Sequence, residues 1–245
     1  MERMDSWRRF RTTVLDFVFP RMCCACGNRI EAAEENGLCW DCRAEGLPLA
    51  PPWCERCGGA VAGRVDHAFT CSDCENTPPS YDRARSLYRY EGGVRTAIHA
   101  LKYRRDFSVV PDLSRLLLAG LRAHVPDPGE VVCVPVPLHP SRFRRRGFNQ
   151  GMELIRGMRR LDPEVRVWNG CRRVKKTDSQ THLSKAARRR NVSGAFRVPE
   201  RKGAAPVRLV LIDDVMTTGA TLDAAAKALR RAGAEEIHTL TVARG

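Results

Sequence analysis

The stretch from Leu209 to Leu222 constrains this 245-residue chain more than any other. Leu209-Val210-Leu211-Ile212 is a bounded apolar run, the pattern of a strand buried on both faces of a parallel sheet with helices on each side. Asp213 and Asp214 follow as an acidic turn at its carboxyl end. Val215-Met216-Thr217-Thr218-Gly219-Ala220-Thr221 then leads into an Ala-rich helix that starts at Leu222 and is closed by Gly233. The first amides of a helix lack partners and carry the positive end of its dipole, so Gly219, Ala220 and Thr221 can bond a phosphate. Thr217, Thr218 and Thr221 add hydroxyl donors. Ionised Asp213 and Asp214 only accept hydrogen bonds, which suits sugar hydroxyls and not phosphate. A phosphorylated ribose satisfies both halves. The competing reading, a buried strand whose Asp and Thr residues merely cap a turn, leaves two adjacent carboxylates at a switch-point position without a reason.

Eleven cysteines are present, and eight of them form Cys-x-x-Cys pairs before residue 75: Cys23/Cys26, Cys39/Cys42, Cys54/Cys57 and Cys71/Cys74. Each pair points two thiolates at one place, and two pairs complete a tetrahedral four-sulfur zinc shell, so two structural zinc ions are expected. Redox-active pairs normally occur singly at a helix start, which argues against that use of four pairs. Spacing leaves sequential and interleaved pairing both open, and Cys24 is a spare thiol that can compete as a ligand. No run approaches the ~20 apolar residues of a membrane span. A soluble, cytoplasmic protein with reduced thiols is therefore expected.

The formal net charge of +14 is unevenly spread. Residues 1–80 hold 9 basic and 12 acidic side chains, whereas residues 81–245 hold 33 and 16. Residues 142–190 alone carry 16 Arg or Lys against 4 Asp or Glu, a block that attracts phosphates, whether of a nucleotide precursor or of a nucleic acid.

Along the chain, residues 6–19 read as a short amphipathic helix ended by Pro20. The turn-rich Asn76-Thr77-Pro78-Pro79-Ser80 marks a boundary, giving domains of 1–78 and 79–245. Ala84 to Tyr90 reads as a strand, Gly92 to Tyr103 as one helix, and Val109 to Arg122 as another. Lys102 and the basic residues after it can reach a phosphate or simply complement a helix end. Val131 to Val136 reads as the first core strand, with a stiff proline-rich exit through Pro137, Leu138, His139 and Pro140. Gly147 to Gln150 opens a helix, Glu164 to Trp168 is a second core strand, Ala195 to Val198 and Val207 to Ile212 return to the sheet, and Glu236 to Val242 is last. Alternating strands and helices predict a doubly wound, mostly parallel α/β domain behind a small zinc-binding domain with four-cysteine sites.

Leu209 to Leu222 resembles the phosphoribosyl pyrophosphate (PRPP) motif of type I phosphoribosyltransferases. With the four Cys pairs, Val134 to His139 and Arg146-Gly147-Phe148-Asn149-Gln150, nearly the whole chain resembles the ComF/GntX (ComFC-like) competence family. The resemblance implies a double zinc-ribbon-like module and a PRPP site using Mg2+. Asp213 and Asp214 would grip the ribose and act in catalysis, Met216 would belong to the PRPP-binding set, and Thr217 to Thr221 would hold the 5′-phosphate. Val136, Pro137, Leu138, His139, Arg146 and Lys102 would surround the pyrophosphate. It also makes Cys171 to Gly194 a closing lid that includes Arg172, with Gln180, Leu183, Ser184, Arg188 and Asn191 matching the family pattern. His139 reads better as an ordinary turn histidine than as a general base, because no adjacent carboxylate sets its tautomer.

Two functions follow from the resemblance. One is phosphoribosyl transfer to an unidentified acceptor during DNA uptake. The other is a non-catalytic nucleic-acid-binding accessory, meeting single-stranded DNA, with PRPP as a regulatory ligand; few aromatic residues in the basic block weigh against it. A third possibility is that the mildly acidic zinc module docks a competence helicase or another DNA-uptake protein.

Overall fold

The computed structural model describes residues 20–30, 37–61, 63, 65, 67–176 and 185–245, and the expected helix at 6–19 lies outside them, as do Gln180, Leu183, Ser184 and the side chain of Arg188. The chain opens with two cysteine knuckle pairs, each ending in a single helical turn, α1 (Trp40–Ala44) and α2 (Ser72–Asn76). Strand β1 (Arg83–Arg89) and helix α3 (Gly92–His99) follow. The backbone then widens into a π-type turn at Ala100–Arg104, where a single continuous helix had been expected. Helix α4 (Val110–His124), strand β2 (Val132–Pro135), α5 (Pro140–Arg146) and α6 (Gln150–Leu161) come next.

After the short strands β3 (Arg166–Val167) and β4 (Arg172–Arg173), α7 (Lys185–Val192) leads to β5 (Phe196–Arg197). The chain closes with β6 (Arg208–Met216), α8 (Ala220–Arg230) and β7 (Glu236–Arg244).

Five strands form one sheet in the order β1-β7-β6-β2-β3, with every pairing parallel. The Ala195 to Val198 segment does not join it, because β5 pairs antiparallel with β4 as a separate ribbon. Side chains alternate across β6, as a pleated strand requires. Leu209 and Leu211 pack with Ala225, Ala226 and Leu229 of α8 on one side. Val210 and Ile212 pack with Leu113 and Leu117 of α4 and Leu154, Ile155 and Met158 of α6 on the other. The strand is longer than the apolar run: it carries Asp213 and Asp214 within it to Met216, so the acids lie on extended backbone and not in a turn.

The zinc module is packed onto this domain. Leu38 and Ile30 share the hydrophobic cluster of Val94, Ile98 and Leu101. A Cβ on Gly93 would lie 2.1 Å from the Cys42 carbonyl oxygen, so only glycine admits that approach. Buried Asp112 of α4 accepts the amides of Gly37 and Leu38 at 2.9 and 3.2 Å. Between the two knuckle pairs, the Leu49 amide donates to the Leu87 carbonyl and the Arg89 amide to the Leu47 carbonyl, laying this linker along the outer edge of β1. Among the described residues no helix is long and apolar enough to cross a membrane.

Candidate functional site

The carboxyl ends of β2 and β6 open into a cleft of about 340 Å³ lined by Asp213, Asp214, Thr217 and Thr221 together with Lys102 and Val136-Pro137-Leu138. Such a volume lies within the usual range for small-ligand sites. The two acids are consecutive residues of β6 and both reach this one cleft. Asp214 is buried and meets Lys102, whose Nζ lies 2.6 Å from its Oδ2. Burial opposes the charge on Lys102, but the two acids outweigh it and hold its pKa above the ordinary value. The π-type turn delivers this lysine, and such widened turns often occur at functional sites.

Asp213 is half-buried. Dense surroundings and then the neighbouring Asp214 charge push its pKa up to about 8, with Lys102 pulling the other way. The Asp213 carboxylate accepts the Asp214 amide at 2.9 Å, and Asp214 accepts the Val215 amide at 2.8 Å. These local bonds fix both side chains at the floor of the cleft.

Directly beyond, Asp213, Met216, Thr217, Gly219, Ala220 and Thr221 enclose a cradle of about 80 Å³ at the start of α8. Gly219 has φ +74°, and a Cβ there would stand 2.7 Å from Met216 Cε, so the left-handed turn that frees the helix amides requires glycine. Thr218 turns its hydroxyl toward the Ala220 amide, 3.5 Å away, and borders a different cavity.

Opposite, the Val136 amide donates to the Ile212 carbonyl at 3.0 Å, and Asn149 Nδ2 donates to the Val136 carbonyl at 2.9 Å, so the proline-rich exit is tied to both β6 and α6. His139 lies outside the cleft lining: its Nδ1 accepts the Ser141 amide at 3.2 Å and caps α5. Arg146 lines the cleft, its Nη1 donating to Gln150 Oε1 at 2.7 Å.

Arg172 directs its guanidinium to the Asn169 and Cys171 carbonyls, at 3.0 Å each, and its neighbour Arg173 is the one that reaches the cleft. Burial, and then Arg142 nearby, lower the Arg173 pKa to about 10. Arg142, Gln150, Tyr90 and Tyr103 complete the wall. Tyr90 and Tyr103 had no motif to mark them; only the fold brings β1 and the π-type turn to this place. Acids on the floor and cations around them suit a ligand with hydroxyls at its middle and phosphates at its ends.

The cysteines form two groups, Cys23/Cys26/Cys39/Cys42 and Cys54/Cys57/Cys71/Cys74, each with its sulfurs within 4.8 Å of one another. Pairing is therefore sequential. A zinc–sulfur bond of about 2.3 Å places the corners of a tetrahedron about 3.8 Å apart. The Cys26–Cys39 and Cys57–Cys71 sulfurs are separated by 3.7 and 3.9 Å, so both groups fit zinc. Burial opposes ionisation of Cys23, yet the amides of Cys26, Cys39 and Ala25 outweigh it and lower the pKa to about 6, favouring the thiolate a metal needs. Cys24 stands outside both groups, its thiol pushed up to about 12 chiefly by burial.

A double zinc ribbon domain matches residues 14–75, and a phosphoribosyl transferase domain matches residues 173–245. The chain is 34% identical over 231 residues to Competence protein F of Haemophilus influenzae, covering 92% of this chain and 98% of that protein. It is 33% identical over 237 residues to DNA utilization protein YhgH of Salmonella typhi, covering 85% and 97%. Competence protein ComFC of Bacillus subtilis is 27% identical over 219 residues, covering 86% and 85%. At 34% identity over nearly the full length of both chains, with a double zinc ribbon followed by a phosphoribosyl transferase domain, the chain belongs to the competence protein F family.

Proposed function

We propose that the cleft binds PRPP and that the protein transfers its phosphoribosyl group, a glycosyl transfer, to an acceptor not yet identified. The observation that carries this is the placement of Asp213 and Asp214 at the end of β6, beside a glycine-opened helix start. The cradle at 217–221 takes the 5′-phosphate, Asp213 accepts hydrogen bonds from the ribose hydroxyls, and Arg146, Arg173 and Lys102 face the pyrophosphate. Asp213 is the acid left to the ligand, since Asp214 is held by Lys102. Mg2+ would supply charge neutralisation of the pyrophosphate and would be held mostly by ligand oxygens and water, with Asp213 the carboxylate available to those waters.

As the glycosidic bond to pyrophosphate breaks, positive charge grows on the ribose. The acids stabilise that charge while the cations stabilise the leaving group. The names of the relatives, competence and DNA utilization, favour a role in handling incoming DNA, and thiolate zinc sites suit the reducing cytoplasm. Calorimetry with PRPP and Mg2+ should show binding to the wild type and none to Asp213→Asn/Asp214→Asn. Equal binding by both would refute the ribose assignment.

A second reading rests on a separate observation. Tyr103, Phe107 and Phe143 are exposed, and Arg105 Nη2 donates to the Arg145 carbonyl at 3.1 Å, bringing the aromatic 103–107 segment beside the arginines of α5. Exposed rings among arginines suit single-stranded DNA, in which bases stack and phosphates pair with cations. Titration with single-stranded DNA should show a steep salt dependence and weaker binding after Tyr103→Ala/Phe143→Ala. A flat salt response would remove this reading. Docking of a helicase or other DNA-uptake protein on the zinc module is a further proposal, checked by pull-down with and without residues 1–78.

A further inference from the structure

The second cysteine group sits against the back of the phosphate cradle, and one arginine joins them. Arg244, at the end of β7, pairs in register with Met216, the residue that ends β6. Its Nη1 donates to the Cys57 carbonyl at 2.7 Å and lies 3.5 Å from Met216 Sδ, while Nη2 lies 3.9 Å from Cys57 Sγ. Met216 in turn borders Gly219: the space that a Cβ on this glycine would fill is closed by Met216 Cε at 2.7 Å and Tyr81 Oη at 3.1 Å. The knuckle itself cannot drift, because a Cβ on Gly58 would meet the Ala84 carbonyl oxygen at 2.5 Å and the Ala84 amide donates to the Arg56 carbonyl at 2.7 Å. From the other end of the module, the Ser80 amide donates to Asp223 Oδ1 at 2.6 Å in the first turn of α8. A cavity of about 510 Å³ has Cys54, Cys57 and Phe69 on one wall and Thr217, Thr218 and Arg244 on the other.

We propose that Arg244 is a positioning residue that couples the second zinc ribbon to the 5′-phosphate cradle, so that zinc in Cys54/Cys57/Cys71/Cys74 and a phosphorylated sugar bind cooperatively. This rests on the sugar-phosphate reading of the cleft. Zinc fixes the Cys54–Cys57 knuckle, the knuckle carbonyl fixes the guanidinium, and the guanidinium holds Met216 against the left-handed turn at Gly219. Groups surrounding metal ligands are known to alter metal affinity by about 10- to 100-fold when removed, so the link is expected to be measurable from both ends. Thermodynamic reciprocity requires that if the metal tightens the cradle, an occupied cradle holds the metal more tightly by the same factor.

The test uses the full-length protein with both zinc ions and ribose 5-phosphate, which fills the cradle without needing Mg2+. Zinc transfer to a chromogenic chelator is followed with and without the sugar phosphate, after calorimetry has measured whether it binds. One of two release phases should slow by at least about fivefold, within the usual span of coupling between sites. Arg244→Met should abolish the slowing while both zinc ions still load, and Arg244→Lys should restore part of it, an outcome that a purely structural role would not give. Bound ribose 5-phosphate with both phases unchanged would overturn the coupling alone, as would full slowing in Arg244→Met. No binding of ribose 5-phosphate would overturn the cradle and the coupling together.

Discussion

Lys102 Nζ lies 2.6 Å from Asp214 Oδ2, while the neighbouring Asp213 is held by the Asp214 amide, 2.9 Å from its Oδ1. The two neighbouring acids are thereby given different work. One is neutralised by the protein itself, and the other is left at the cleft for a ligand.

Removing the lysine should leave Asp214 as a buried, uncompensated charge. Lys102→Met is expected to destabilise the fold by about 3 kcal/mol, as breaking buried pairs typically does. Urea denaturation measures this, and adding Asp214→Asn should recover part of the loss. A single Lys102→Met variant as stable as the wild type would contradict the ion pair.

Asp213 predicts a pH dependence whose sign is fixed. Its folded carboxyl keeps a proton up to about 8, whereas the unfolded chain releases it near the ordinary value of about 4. Between these limits the folded state holds the extra proton, so this group's contribution to stability falls as pH rises through the window and is level above it. Sugar hydroxyls favour the ionised form, so affinity for ribose 5-phosphate should rise from about pH 6.5 to about pH 8.5, with proton release on binding at the lower value. Calorimetry in two buffers of different ionisation enthalpy counts that proton, and uptake in place of release would refute the assignment.

Gly219→Val places a branched side chain at φ +74°, within reach of Met216 Cε and Tyr81 Oη. The backbone strain alone costs about 1–3 kcal/mol. Thermal melting should show this, and sugar-phosphate binding should fall further than stability does because the amides of the cradle turn away. Unchanged affinity would mean the cradle does not hold the phosphate.

Protein purified under reducing conditions without chelator should contain two zinc equivalents, measured by elemental analysis. Because Leu38, Ile30 and Cys42 belong to the main hydrophobic cluster, stripping the metal should lower the melting temperature of the whole chain and not of the ribbons alone. A melting curve indifferent to chelation would disprove that dependence.

The sequence was most legible where local chemistry dictates geometry. Eight cysteines at fixed spacing and a glycine before a helix each have few physical solutions, and those solutions are what the fold contains; the apolar strand was legible too, although it runs on through its two acids to Met216 where a turn had been expected. Contacts made over long distance were not legible. Arg173 in place of Arg172 depends on which face a two-residue strand turns to the cleft, and a charge run has no periodicity to say so. The antiparallel pairing of β5 with β4 also escaped, because a short apolar segment reads alike in any sheet. The bond from Arg244 to Cys57 spans 187 positions, and no pattern in the chain announces it.

The linker along β1 carries one further meaning for this molecule. Leu47 to Leu49 occupies the open backbone groups of a boundary strand that would otherwise invite a second chain to continue the sheet. A truncated protein beginning at Tyr81 would therefore expose a sticky rim, and its self-association would say more about the missing shield than about the missing metal.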